Sequence, residues 1–265
     1  MTHAIMPALP RVTATTIWCS VLALSCYGQE EPKPAMLGAM RAKSILFLGN
    51  SVTLHGPAEQ LGWPHHCGMA ASAPENDYVH LLAAAIEART SAPLRISPAD
   101  SEEAGTTRAA NVVNVADIFE RNYGTYTDER LRGQLDLKAD IVVLQFGENI
   151  VRETFDPEAF ASGLRTLVAG LKAHGDPRIF VTSQILGAGG PLDDIKREVC
   201  AEDPSHRVFV DLSQFGKDPA NFASAEPHYT GIIVGHPGDK GMAVIADALL
   251  KAMVEHGQGT EDVSR

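Results

Sequence analysis

The chain has 265 residues, 45% of them hydrophobic and 21% charged, and 33 Asp and Glu against 22 Lys and Arg leave a formal net charge of −11. That length and apolar fraction suit one compact domain with a sizeable core. The acidic balance argues against nucleic acid or an anionic membrane surface as a partner.

The first 25 residues hold no acid, one Arg at Arg11, and an apolar run from Val12 to Leu24 that is too short to span a bilayer. They read as a signal peptide over 1–25, with Ala23-Leu24-Ser25 supplying the small residues needed for cleavage before Cys26 or shortly after it. A secreted or periplasmic location follows, with no integral membrane segment in the mature chain. A lipid anchor on Cys26 is the weaker variant, because Ala23 stands where a lipobox carries Leu. Gln29, Glu30, Glu31, Pro32 and Pro34 mark a polar linker, taken as 26–42. The folded domain is expected over 43–258 and a short tail over 259–265.

Strand and helix signals then alternate, as βαβ units of a mostly parallel sheet do. Ser44 to Leu48 is the first strand, and it runs into Gly49-Asn50-Ser51. The stretch from Thr53 to Asn76, rich in Gly, Pro, His and Trp, has no periodic pattern; connections of that length inside a domain are usually functional. It begins next to Ser51, so His55, Trp63 and Met69 are expected to wall a pocket there, with His55 and Trp63 as substrate contacts; anchoring the loop on the core is an equal reading for Trp63. A helix follows over 77–87. Leu94 to Ile96 and Val112 to Val115 are short strand candidates. Ile141 to Phe146 is apolar apart from Gln145, as suits a central strand covered on both faces. Phe160 to His174 is a helix ended by Gly175 and Pro177. Strands over 178–182 and 207–211 and a closing helix over 241–255 complete the pattern.

Other clusters have plainer readings. In His65-His66-Cys67 adjacent residues point apart and no second ligand pair follows at zinc spacing, so no metal site is expected. Asp193-Asp194 and Glu102-Glu103 read as solvated faces or caps. Gly235, Gly238 and Gly241 lack the strand-before-helix context of a dinucleotide fingerprint, and no cofactor is expected. Cys67 and Cys200 are the cysteines of the folded part; in an oxidising compartment they can pair or remain separate thiols.

Three blocks stand out by order and context: Gly49-Asn50-Ser51 after the first strand, Gly147-Glu148-Asn149 after the central strand, and Gly235-His236-Pro237 before the last helix. Together they resemble the SGNH (GDSL-like) hydrolases, over nearly the whole chain from Ser44 to about Glu255. The resemblance implies a three-layer α/β/α, flavodoxin-like fold with a five-stranded sheet. It also implies Ser51 as nucleophile, His236 as general base, and Ser51 and Asn149 as oxyanion-hole donors. The implied activity is that of a serine esterase forming an acyl-enzyme on Ser51, with a small-molecule or glycan ester such as a carbohydrate O-acetyl group as substrate. The pattern has departures. Ile233 occupies the position of the family's Asp three residues before the His, the segment 111–117 has no glycine, and Ile150 follows Asn149 where the family has Asp. They leave a non-catalytic module that binds a glycan or acyl group as the alternative. They also single out His236 working without an acidic partner, with Asp239 the nearest acid and a helix N-cap by default.

Overall fold

The computed structural model describes Met1 and residues 35–99, 110–187, 189–225 and 229–259. Residues 2–25 of the expected signal peptide, the glutamates 102 and 103 and the last six residues lie outside them. The domain begins earlier than expected. A hairpin, β1 (Met36–Leu37) with β2 (Met40–Arg41), occupies the end of the expected linker. It is part of the fold because Leu37 and Met40 are buried and the Ala39 N–H donates to the Gly257 carbonyl at 3.0 Å.

The central sheet has β3 (Ile45–Gly49), β4 (Val112–Asn114), β5 (Ile141–Gln145), β6 (Arg178–Thr182) and β7 (Arg207–Val210), all parallel in the order β4-β3-β5-β6-β7. Side chains alternate between faces of a strand, and the two cores divide accordingly. Ile45, Phe47, Ile141 and Val143 pack under α1 (Tyr78–Thr90) and the C-terminal helix Asp239–Gly259. Leu46, Leu48, Val142 and Leu144 pack under Pro157–Gly175 and Pro191–Ala201. With the short helix α2 (Arg132–Leu135), these three helices are α5, α3 and α4 respectively. The result is the three-layer α/β/α arrangement. Leu94 to Ile96 forms no strand; Pro93 and Pro98 flank it and cannot donate to a ladder, so only a single bridge joins Pro98 to Val112.

Local chemistry sets the helix ends. The Asp77 carboxylate accepts the His80 N–H at 2.8 Å and starts α1; Asp156 accepts from the N–H groups of Glu158 and Ala159 ahead of Pro157 and starts α3. Asp193, read as a solvated face or a cap, is buried in the first turn of α4. Its carboxylate accepts the Gln184 and Gly189 N–H groups at 2.9 and 2.7 Å and faces Lys196 Nζ at 3.5 Å. Asp194 does sit on the exposed side, paired with Arg197. Cys67 and Cys200 are free, buried thiols in the cores on opposite faces of the sheet, and burial pushes each thiol up to about 12. Among the described residues no helix is long and apolar enough to cross a membrane.

In this strand order the chain reverses direction of travel between β3 and β5, so a crevice opens at their carboxyl ends. Ser51 follows β3 there, and Asn149 follows β5.

Candidate active site

Gly49 and Gly147 let the two crucial turns form. A Cβ on Gly49 would run into the Thr53 side chain, whose hydroxyl is held between Tyr78 Oη at 2.6 Å and Gln145 Oε1 at 3.0 Å. Gly147 has φ +135°, and a Cβ there would meet Leu192 and Gln184. Between them the turn that carries Ser51 is closed by Asn50, whose Oδ1 accepts the Val52 N–H at 3.0 Å, and by the Ser51 carbonyl, which accepts the Met69 N–H at 2.8 Å.

Ser51 Oγ lies 2.9 Å from His236 Nε2, although the two residues are 185 apart in sequence. His236 is held at both backbone ends: its N–H donates to the Ile233 carbonyl and its carbonyl accepts the Ala223 N–H, both at 2.9 Å. On the far side of the ring, Nδ1 lies 2.8 Å from the Ile232 carbonyl. A carbonyl only accepts, so Nδ1 carries the proton and Nε2 presents a lone pair to the Ser51 hydroxyl. Burial is the main cause that lowers the His236 pKa below the usual histidine range, and the nearby His55 adds to it. The ring is therefore neutral at neutral pH.

Asp239 is remote from this relay. Its carboxylate accepts the Ser72 N–H at 2.8 Å, the Ser72 hydroxyl at 2.5 Å and the Asn76 amide at 3.2 Å, tying the long loop to the start of α5. The position of the missing family Asp is taken by Ile233, which is fully buried in the core. The orienting acceptor comes from the backbone of its neighbour.

Ser51 and His236 open onto a cleft of about 580 Å³ whose polar wall includes His55, Asn114, Glu148 and Asn149. Its apolar side is Met69, Leu186 and Ile232, the last 64% exposed at the rim. Trp63, expected to touch substrate, does not reach the cleft. It is fully buried, its indole N–H donates to the Ala71 carbonyl at 2.8 Å, and its ring backs His55 at a centroid distance of 6.1 Å. An aromatic of that size is better placed anchoring a loop than exposed. His55 does line the cleft, with Nδ1 turned to the Gly56 carbonyl at 2.6 Å.

The Ser51 N–H has no hydrogen-bond partner among the described residues. The Asn149 amide gives one N–H to Glu120 Oε2 at 2.7 Å, and its Oδ1 accepts from Arg121 at 3.1 Å; its second N–H has no partner among the described residues. At the turn after β4, where segment 111–117 has no glycine, two backbone donors are already engaged. There the Ala116 N–H is taken by Asn114 Oδ1 at 3.0 Å and the Val115 N–H by the Gly49 carbonyl at 2.6 Å. Two acids escaped the sequence reading. Glu148 sits within the second motif, and its carboxylate accepts the Ile185 N–H at 2.7 Å and the Asn50 amide at 2.5 Å. Glu120 carries no sequence signal at all.

The three-layer arrangement with a parallel sheet in this order is the SGNH (GDSL-like) hydrolase fold. Solved structures with the same fold include a two-domain esterase active on acetylated mannans, co-crystallised with mannopentaose. It is 16% identical over 83% of this chain, with a TM-score of 0.54, and this chain spans 52% of its length. The psychrotrophic esterase EstA from Pseudoalteromonas sp., in a structure inhibited by monoethylphosphonate, is 14% identical over 80% of this chain and 97% of its own, with a TM-score of 0.50. No family model and no curated protein matches the chain.

Proposed function

We propose that the protein is a serine carboxylic ester hydrolase that cleaves short acyl esters through an acyl-enzyme on Ser51. The observation that carries this reading is the continuous relay from the Ser51 hydroxyl through His236 to the Ile232 carbonyl. His236 Nε2 takes the hydroxyl proton as Oγ attacks the acyl carbon, and the carbonyl oxygen takes the π electron pair to become an oxyanion facing the Ser51 N–H and the Asn149 amide. The imidazolium returns the proton to the departing alkoxide, and the acyl group stays on Oγ. Water then attacks the acyl-enzyme by the same steps, with His236 again the base.

The polar wall of the cleft favours a polar leaving group and a small acyl group. In that respect a carbohydrate O-acetyl ester fits best, and the mannan-active esterase of like fold acts on a substrate of this kind. Export by the expected signal peptide would bring the enzyme to such substrates. In a comparison of p-nitrophenyl acetate with p-nitrophenyl octanoate, kcat/KM should favour acetate by roughly tenfold or more. A preference for octanoate would assign the cleft to lipid esters, and no hydrolysis above a Ser51→Ala control would leave a binding module.

The acid limb of kcat/KM should reflect His236. Protonated imidazole cannot accept the serine proton, so activity falls as pH drops through the free-enzyme pKa. Because burial lowers that pKa, the limb should lie below the ordinary histidine value of about 6.5. A limb above it would show that another group controls the base.

A further inference from the structure

The chain widens after β4. Residues Ala116–Glu120 form a π-helical turn, with the Glu120 N–H bonded to the Val115 carbonyl and the Arg121 N–H to the Ala116 carbonyl, each five residues back. Such insertions rotate the following side chains out of α-helical register. Here the last residue of the turn, Glu120, is fully buried beneath the two motif loops, while Arg121 reaches the cleft.

The Glu120 carboxylate takes four donors from those loops. Oε1 accepts the Asn50 amide at 3.2 Å, the Gly147 N–H, and the Asn149 N–H at 3.4 Å; Oε2 accepts the Asn149 amide at 2.7 Å. A carboxylate offers about four acceptor sites and no donor, so its capacity matches the donors around it. Burial and the neighbouring Glu148 raise its pKa, while the donors from Gly147, Asn149 and Asn50 oppose that. The Lys196 ammonium lies within electrostatic reach of both acids.

We propose that Glu120 is a positioning residue that sets the orientation of the Asn149 amide, and through it the oxyanion hole. The inference rests on the esterase reading above. An asparagine amide has two orientations related by a flip, and its two neighbours here select one of them. Glu120, which only accepts, requires Nδ2 on its side, and Arg121, which only donates, requires Oδ1 on the other. Glu120 also holds the Gly147 and Asn149 N–H groups, which fixes the loop bearing the amide. Asn50 depends on it less, since its amide has a closer acceptor in Glu148.

Glu120→Gln tests this. A glutamine must turn its own NH₂ toward either the Asn149 amide or the cluster of N–H donors, and both choices oppose donor to donor. We expect kcat for p-nitrophenyl acetate to fall about 10- to 100-fold with KM within about threefold, since an ångström of misplacement can cost about 10² in rate. In an Asn149→Ala background the same change should cost less than about threefold more, because the donor it positions is already gone. Circular dichroism checks that each variant is folded, and Glu120→Asp, which withdraws the carboxylate by one methylene, takes the same cycle if the glutamine variant does not fold. If kcat survives Glu120→Gln, or if its loss is undiminished in the Asn149→Ala background, Glu120 is a structural acid and the proposal fails alone. If Asn149→Ala itself leaves kcat unchanged, the oxyanion reading fails and this inference falls with it.

Discussion

His236→Ala should remove nearly all turnover, lowering kcat by at least about 10⁴, whereas Asp239→Asn should change it less than about tenfold. In a serine hydrolase triad the carboxylate holds the base in the correct tautomer and stabilises the imidazolium, and its replacement by an amide costs about 10⁴, chiefly through the wrong tautomer. Here the tautomer is set by the Ile232 carbonyl at 2.8 Å from Nδ1. A carbonyl cannot donate, so it does not permit the unproductive form. What it lacks is a full negative charge for the imidazolium, and a polar acceptor in a buried site recovers part of that. Asp239 spends its oxygens on Ser72 and Asn76 and has no route to the ring. Steady-state kinetics on folded variants decide the matter. Equal losses in the two would make Asp239 a triad member and overturn the dyad. Labelling provides an independent check: an organophosphonate should modify Ser51 in the wild type and much more slowly in His236→Ala. Modification of another serine would sink the assignment.

Asn149→Ala should lower kcat by roughly 10² to 10³ while KM stays near its original value. The reasoning is differential binding. A neutral ester carbonyl gains little from the amide, whereas the oxyanion of the tetrahedral intermediate gains a charge-assisted hydrogen bond in a site already desolvated. With the Ala116 and Val115 N–H groups committed elsewhere, the proposed oxyanion hole rests on the Ser51 N–H and the Asn149 amide. Fewer donors make each one weigh more, so the loss should sit toward the upper end of the range. A rise in KM with kcat intact would instead assign Asn149 to ground-state binding.

Much of this architecture is legible along the chain because its causes are local. An apolar run such as 141–144, rich in β-branched residues, reads as a strand buried on both faces, and Asp77 and Asp156 start helices by accepting N–H groups a few residues ahead. The three motif blocks fall at strand ends or before the last helix, so their common edge follows from parallel topology alone. Trp63 reads equally well as wall or anchor, since composition does not say which way a loop side chain turns.

What the sequence by itself determined is therefore the alternation of elements, the fold class and the order of serine, asparagine and histidine. Only the tertiary structure decided what surrounds them. The acceptor that orients His236 is a backbone carbonyl, a group every residue has and no residue type announces. Glu120 resembles any surface glutamate until a widened turn swings it under two loops, and it meets Asn50 across 70 residues and Asn149 across 29. Asp193 is buried because Gln184 and Gly189 bring it N–H donors that no spacing rule foresees. Local propensity acts over a few residues, whereas the partners that fix a buried polar group are brought together by chain topology and packing. Their identity is a property of the folded molecule.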